Sequence, residues 1–127
     1  MNLIERIRSS RRKRKLRRRK KEMGKRFQRQ YVGLHNDLDN VVLQMRAVET
    51  IYGLPFNTII PYETLAGTYH EIQMDGNIDT IISNDFIGAD DTERLLENRL
   101  NKTENTIQEL NRDIEMKRLE YVKKHTL

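Results

Sequence analysis

The sequence predicts a mainly α-helical protein with a small β insert, namely an antiparallel coiled-coil hairpin whose two helices are joined by two β-hairpins. Two observations carry this prediction. Apolar residues recur at alternating spacings of four and three in two long segments, as they do along the seam of a coiled coil. Residues 53–91, which lie between those segments, contain short runs of β-branched and aromatic residues bounded by turn residues.

Charge divides the 127 residues into a basic N-terminal segment and an acidic body. Residues 1–30 carry 15 Lys and Arg residues and two acidic residues, a net charge of +13. Residues 31–127 carry nine Lys and Arg residues and 17 acidic residues, a net charge of −8. This asymmetry is typical of an interaction arm attached to a folded domain. The sequence therefore predicts a basic arm or helix extension at 1–24 and a folded domain at 25–127.

The core of the arm is residues 11–21, which are all basic except Leu16. Repulsion between neighbouring cations predicts a solvated segment that becomes helical only when it is neutralised. Three functional interpretations stay open beside this one: a nuclear localisation signal, a contact with RNA or the ribosome, and an arm for an acidic protein. No aromatic residue interrupts the run, so any nucleic acid would be bound through its phosphates and without sequence preference.

The first helix of the domain is predicted at about 25–52. Its seam is one narrow apolar stripe on an otherwise polar helix, which needs one partner helix rather than a broad core. Gly53, followed by Pro55, predicts the end of this helix. The seam consists of Phe27, Tyr31, Leu34, Leu38, Val41, Met45, Val48 and Tyr52.

The second helix is predicted at about 91–124. Asp90 is expected to be its N-cap, and Glu93 stands three residues later, as in a capping box. The seam of this helix weakens toward the C-terminus, so that end is expected to splay. The seam consists of Leu96, Leu100, Thr103, Ile107, Leu110, Ile114, Lys117 and Tyr121.

The two seams have the same length. Each advances by 25 residues, which is about 37 Å of α-helix. Equal lengths predict that the two helices pair with each other inside one chain. In the antiparallel pair so predicted, residues 53–91 lie at the closed end, and the arm and the C-terminus leave from the open end.

The middle of the chain is predicted to form β-hairpins at about 56–74 and 78–88. Asp75-Gly76-Asn77 and Asn84-Asp85 supply turn residues. Small hairpins are marginal alone, and their apolar side chains exceed what two helix ends can cover. The strands therefore predict an oligomer interface, with a closed monomeric cap as the alternative. The interface residues would be Ile59, Ile60, Ile72, Ile78, Ile81, Ile82, Phe86 and Ile87.

Parts of the sequence resemble the α-class subunits of prefoldin, in which two β-hairpins join the helices of a coiled-coil hairpin. The stretch IIPYETLAGTYHEIQ, residues 59–73, is similar to the first hairpin of that class. The stretch IDTIISNDFIGADDTERLLENRL, residues 78–100, is similar to the second hairpin and the helix after it. The paired Leu95 and Leu96 followed by Leu100 are most similar to prefoldin subunit 3.

The resemblance implies an ATP-independent chaperone in the cytoplasm. Two α-class and four β-class subunits would form a hetero-hexamer that holds unfolded or nascent proteins, such as actin and tubulin, and delivers them to a cytosolic chaperonin. Residues 11–21 could add nuclear import. Splayed helix tips would contact the client, with Phe27 and Tyr31 on one helix and Leu119, Tyr121 and Val122 on the other.

No catalytic, metal-binding or cofactor-binding pattern stands out in the sequence. His35, His70 and His125 are scattered, the chain has no cysteine, and no Gly-rich phosphate loop is present. No stretch approaches the ~20 apolar residues of a membrane helix. We therefore expect no enzyme, no cofactor and no membrane association. Two alternatives to the chaperone stay open: a nucleic-acid or ribosome-binding protein that uses the coiled coil as a spacer for its arm, and a structural coiled-coil adaptor.

Overall fold

The protein is built from helices. The computed structural model describes residues 2–126, and this range contains no strand. Met1 and Leu127, which the predicted domain bounds include, lie outside the described residues. The four helices are α1 (Leu3–Tyr52), α2 (Tyr62–Asp75), α3 (Ile78–Asn84) and α4 (Ala89–Thr126).

The predicted fold class is therefore wrong in its β insert. The stretch expected to form two β-hairpins forms α2 and α3 instead. In α2 the side chains that face the core are Leu65, Thr68 and Ile72, at spacings of three and four residues. Helical spacing thus overrides the short runs of β-branched and aromatic residues that suggested strands, because short apolar runs are compatible with both structures. In α3 the buried residues Ile78, Ile81 and Ile82 follow the same helical spacing.

Helices α1 and α4 run parallel to each other, so the predicted antiparallel pairing is also wrong. Near the start of α4, the Glu97 carboxylate lies 2.8 Å from the Arg26 guanidinium of α1. Near its end, the ring of Tyr121 stacks on Tyr52, the last residue of α1, with 5.2 Å between the ring centroids. Both helices therefore advance in the same direction along the shared seam.

The chain returns between these parallel helices through α2 and α3. The Tyr69 hydroxyl of α2 donates to Asp39 of α1 at 2.6 Å. Phe86, which follows α3, lies against an earlier residue of α1, with the Lys20 ammonium 4.2 Å from the centre of its ring. Later residues of the returning chain thus contact earlier residues of α1, so the α2–α3 segment runs antiparallel to α1. Helices of 14 and seven residues span about 31 Å, which is close to the length of the seam. The result is a bundle of α1, α4 and the α2–α3 pair.

The two predicted seams lie in the interior of this bundle. Their apolar residues are buried together with apolar residues of α2, α3 and the preceding loop, so the core has three sides instead of two. The predicted seam positions that are buried are Phe27, Tyr31, Leu34, Leu38, Val41, Met45, Val48, Leu96, Leu100, Thr103, Ile107, Leu110 and Ile114.

The residues predicted to form an oligomer interface are mostly covered by the chain itself. Ile59 and Phe86 are partly buried and pack against the core, and Ile87 is 64% exposed. The surplus of apolar side chains that suggested partner subunits is thus used to cover the α1 and α4 seams. The five interface residues buried in this core are Ile60, Ile72, Ile78, Ile81 and Ile82.

Turns at both ends of the bundle are fixed by specific hydrogen bonds. Gly53 ends α1 in the left-handed conformation (φ 64°), which a side chain would strain. The buried carboxylate of Glu49 then accepts from the Arg46 guanidinium at 2.8 Å and from the Thr58 amide at 3.3 Å, which ties the next loop to α1. At the other end, the Thr92 hydroxyl accepts from the Ile87 amide at 3.1 Å.

The start of α4 differs from the sequence-based expectation. The helix begins at Ala89, so Asp90 lies in its first turn and does not cap it. Asp90 instead pairs with Arg19 of α1, and Glu93 binds Arg19 and Arg26. Two carboxylates that local sequence patterns assigned to a helix cap therefore connect α4 to α1.

Two leucines on α1 allow a matched test of this packing. Leu38 is fully buried and Leu43 is 66% exposed. We expect Leu38→Ala to lower the free energy of unfolding by about 2–5 kcal/mol, because it leaves a cavity in the core. Leu43→Ala should change it by less than about 0.5 kcal/mol. Urea denaturation of both variants measures the difference, and equal effects would contradict the packing of α1.

Candidate nucleic-acid interface

The first 17 described residues of the chain project from the bundle as a continuous helix. Side chains from Asn2 to Arg18 are exposed, apart from the half-buried Ser9, and the first buried side chain of α1 is Met23. We call residues 2–18 the basic arm. It is about 26 Å long at 1.5 Å per residue. No Gly or Pro interrupts α1 before Gly24, so the arm continues the helix of the bundle.

Helix formation in the arm has a clear start and a clear opposing force. The Asn2 side chain caps the helix by accepting from the Glu5 amide at 2.9 Å. Lys and Arg are good helix formers. However, cations four residues apart repel, and cations in the N-terminal part of a helix oppose its dipole. These unfavourable charge interactions therefore destabilise the helix of the arm, and bound anions would reduce them.

The arm carries a dense positive charge that the chain itself does not neutralise. Residues 2–18 contain nine Lys and Arg residues and one acidic residue, Glu5, a net charge of +8. Among the residues that the structure describes, none of the nine cations between Arg6 and Arg18 forms an ion pair. The charge is therefore available to an external anion.

Ion pairs with α4 begin where the arm ends. Arg19 pairs with Asp90 and Glu93, and Arg26 pairs with Glu93 and Glu97 at 3.0 and 2.8 Å. The hydrogen bond to Asp90 raises the pKa of Arg19 above its ordinary value, and the hydrogen bond to Glu97 does the same for Arg26. Each exposed pair contributes little, but four contacts across two turns attach α1 to α4 at the junction.

The acidic residues of α4 also limit how far a polyanion could extend along α1. Asp90, Asp91, Glu93 and Glu97 occupy the first turns of α4, beside the junction. Phosphates that contact the arm would meet these carboxylates at about Arg19. The structure thus separates a cationic arm from an acidic bundle.

The residues predicted as client-binding tips do not lie together. Phe27 and Tyr31 are buried in the part of the bundle that contains the start of α4, close to the Arg26–Glu97 ion pair. Tyr121 stacks on Tyr52 at the opposite end, where Leu119 and Val122 are 58% and 40% exposed. Parallel packing of α1 and α4 separates the two sets by most of the length of the bundle.

One side-chain cluster that the sequence analysis did not identify joins α2 to α1. Asp39 accepts a hydrogen bond from the Tyr69 hydroxyl and lies 3.3 Å from His35 Nδ1. Burial, together with the bond to Asp39, raises the pKa of Tyr69 to about 12. Tyr69 therefore keeps its proton near neutral pH and acts as a hydrogen-bond donor between the helices.

Tyr31 of α1, which is buried, also keeps its proton near neutral pH. Burial raises the pKa of Tyr31 to about 12. Its hydroxyl has no hydrogen-bond partner in the described part of the chain. Within residues 2–126, no group of three or more His, Cys, Asp and Glu side chains could hold a metal ion. The arm is therefore the strongest candidate for a functional surface.

The comparisons with known proteins add no relative. No family model, no curated protein and no solved structure matches the chain. The resemblance to prefoldin thus depends on the short stretches quoted above, and the structure lacks the two hairpins that define the layout. None of the described helices is long and apolar enough to cross a membrane.

Because repulsion between cations destabilises the helix of the arm, we expect added salt to increase the helix content of the protein. Raising NaCl from ~0.01 M to ~1 M shortens the Debye length from about 30 Å to about 3 Å, which screens the repulsion. Circular dichroism should show more helix at high salt. A variant with Arg11→Gln, Arg14→Gln and Lys15→Gln, here called the arm variant, should respond less.

A matched control changes the same charges on α4. It carries Arg94→Gln, Lys102→Gln and Arg112→Gln, at three exposed positions, and is here called the α4 variant. Its helix content should follow salt as that of the original chain does. A loss of helix with salt in the original chain would contradict the conclusion that repulsion between cations destabilises the helix of the arm.

Proposed function

We propose that the protein binds nucleic acid through the phosphates that contact its basic arm, while the bundle holds that arm as a projecting helix. One observation carries this proposal: a net charge of +8 on residues 2–18, with no ion pair inside the described chain for any Lys or Arg of the arm. Nucleic acids are the most common dense polyanions, and releasing their counterions drives such binding.

The contrast with three arginines of α1 that lie beyond the arm supports this proposal. Arg19, Arg26 and Arg46 each pair with a carboxylate of the chain, and Arg46 binds the buried Glu49. These residues stabilise the bundle and its loops. The cations of the arm have no comparable structural role, since removing them would leave the core unchanged.

The acidic body restricts where a polyanion can approach the protein. Residues 31–127 have a net charge of −8, which repels a phosphate backbone. A polyanion is therefore attracted to the arm and kept away from the bundle. The bundle acts as a spacer or as a platform for other contacts.

The chaperone function implied by the prefoldin resemblance stays a prediction. The layout that gave the resemblance needs two β-hairpins, and α2 and α3 occupy their place. Most of the apolar residues expected to join subunits are buried within the chain. No feature of the structure favours that function over binding through the arm.

Binding to nucleic acid can be tested by its salt dependence. We expect the affinity of the full chain to fall as salt rises, with a slope of log affinity against log salt that grows with the number of phosphates contacted. The arm variant should reduce that slope by about 2–3, because each lost contact to a duplex contributes about 0.9. Fluorescence anisotropy with a labelled duplex of mixed sequence measures both values.

The α4 variant is the control for net charge. It changes three exposed cations without touching the arm, so its affinity and slope should stay close to those of the original chain. Equal weakening by the two variants would mean that overall charge, and not the arm, drives binding. No binding even at low salt would rule out the proposed function.

A further inference from the structure

We infer that the arm binds double-stranded DNA in the major groove, an inference that rests on the proposed function and specifies its ligand. The starting point is how charge is arranged around the helix. Residues 11–18 of the arm contain seven Lys and Arg residues and make about two turns, so cations point to every side. A surface of phosphates on one side could neutralise only part of them.

A duplex groove provides phosphates on two opposite walls. An α-helix with its side chains is about 10–12 Å wide, and the major groove of B-form DNA is about 12 Å wide. A helix lying in that groove places its flanks against both phosphate backbones. The all-round charge of the arm matches this environment better than it matches a flat surface.

Other polyanions match the arm less well. The major groove of A-form RNA is deep and too narrow for side chains to enter. Proteins that hold single strands use aromatic side chains as stacking platforms, and residues 2–22 contain none. A helix that lies on a membrane needs an apolar face along its length, whereas the apolar residues of the arm are Leu3, Ile4 and Ile7 at its tip and Leu16 alone among the cations.

The rigid junction favours insertion of the helix as one piece. The arm continues α1 without a break, and the ion pairs of Arg19 and Arg26 attach the next turns to α4. The cations from Arg6 to Arg18 span about 18 Å of helix. Beyond them the carboxylates of α4 repel phosphate, so the footprint on DNA should end at the junction.

The arm has few groups that read bases. Residues 3–22 contain no Asn or Gln, the side chains that recognise adenine, and Asn2 is used as the helix cap. Contacts to phosphate position a protein but carry no sequence information. We therefore expect binding to DNA of any sequence, with dissociation constants in the range of about 1–100 μM at physiological salt.

The test compares three labelled probes of equal length and mixed sequence with the full chain at one salt concentration: a DNA duplex, an RNA duplex and a DNA single strand. We expect the DNA duplex to bind roughly tenfold more tightly than the other two. Methyl green, which occupies the major groove, should displace the protein, and netropsin, which occupies the minor groove, should not. The arm variant should lose this preference, and the α4 variant should keep it.

Each other outcome has a distinct meaning. Equal or tighter binding to the RNA duplex or to the DNA single strand would overturn the choice of duplex DNA and leave the proposed function intact. Displacement by netropsin and not by methyl green would overturn the major groove. Failure to bind any of the nucleic acids at low salt would overturn the proposed function itself.

Discussion

The parallel contact between α1 and α4 is the constraint on which the rest of the structure depends. It extends from the Arg19–Asp90 ion pair to the stacked rings of Tyr52 and Tyr121. Two consecutive long helices can run in the same direction only if the chain returns between them. Helices α2 and α3 make that return, and their apolar residues then close the third side of the core. A short linker would have forced the helices to be antiparallel.

Parallel packing also determines where charge lies. It places the acidic start of α4 beside the end of the arm, where Asp90, Glu93 and Glu97 bind Arg19 and Arg26. The chain thereby pairs Arg19 and Arg26 with its own carboxylates and leaves the cations of the arm exposed. The same carboxylates repel phosphate, so the surface that attracts a polyanion ends where the folded domain begins.

Part of this structure follows from the sequence. Spacings of four and three locate the two seams, and composition locates the basic arm. Direction is not encoded in such spacing, since a seam of equal length supports parallel and antiparallel pairs alike. Ile78, Ile81 and Ile82 suit a short strand as well as one helical turn, and only packing against α1 decides between them. The junction could not be predicted, because Arg19 and Asp90 are 71 residues apart and local pattern assigned Asp90 to a cap.

The direction of α4 relative to α1 tests this account most directly. The chain has no cysteine, so spin labels can be attached at introduced cysteines in the exposed positions Ile51, Arg94 and Val122. Electron paramagnetic resonance should give a distance of about 10–20 Å between the spin labels at 51 and 122, because neighbouring helix axes lie about 8–10 Å apart. The pair at 51 and 94 should give about 40 Å, the rise of α4 between 94 and 122. A short distance for 51 and 94 with a long one for 51 and 122 would show an antiparallel hairpin and contradict the account.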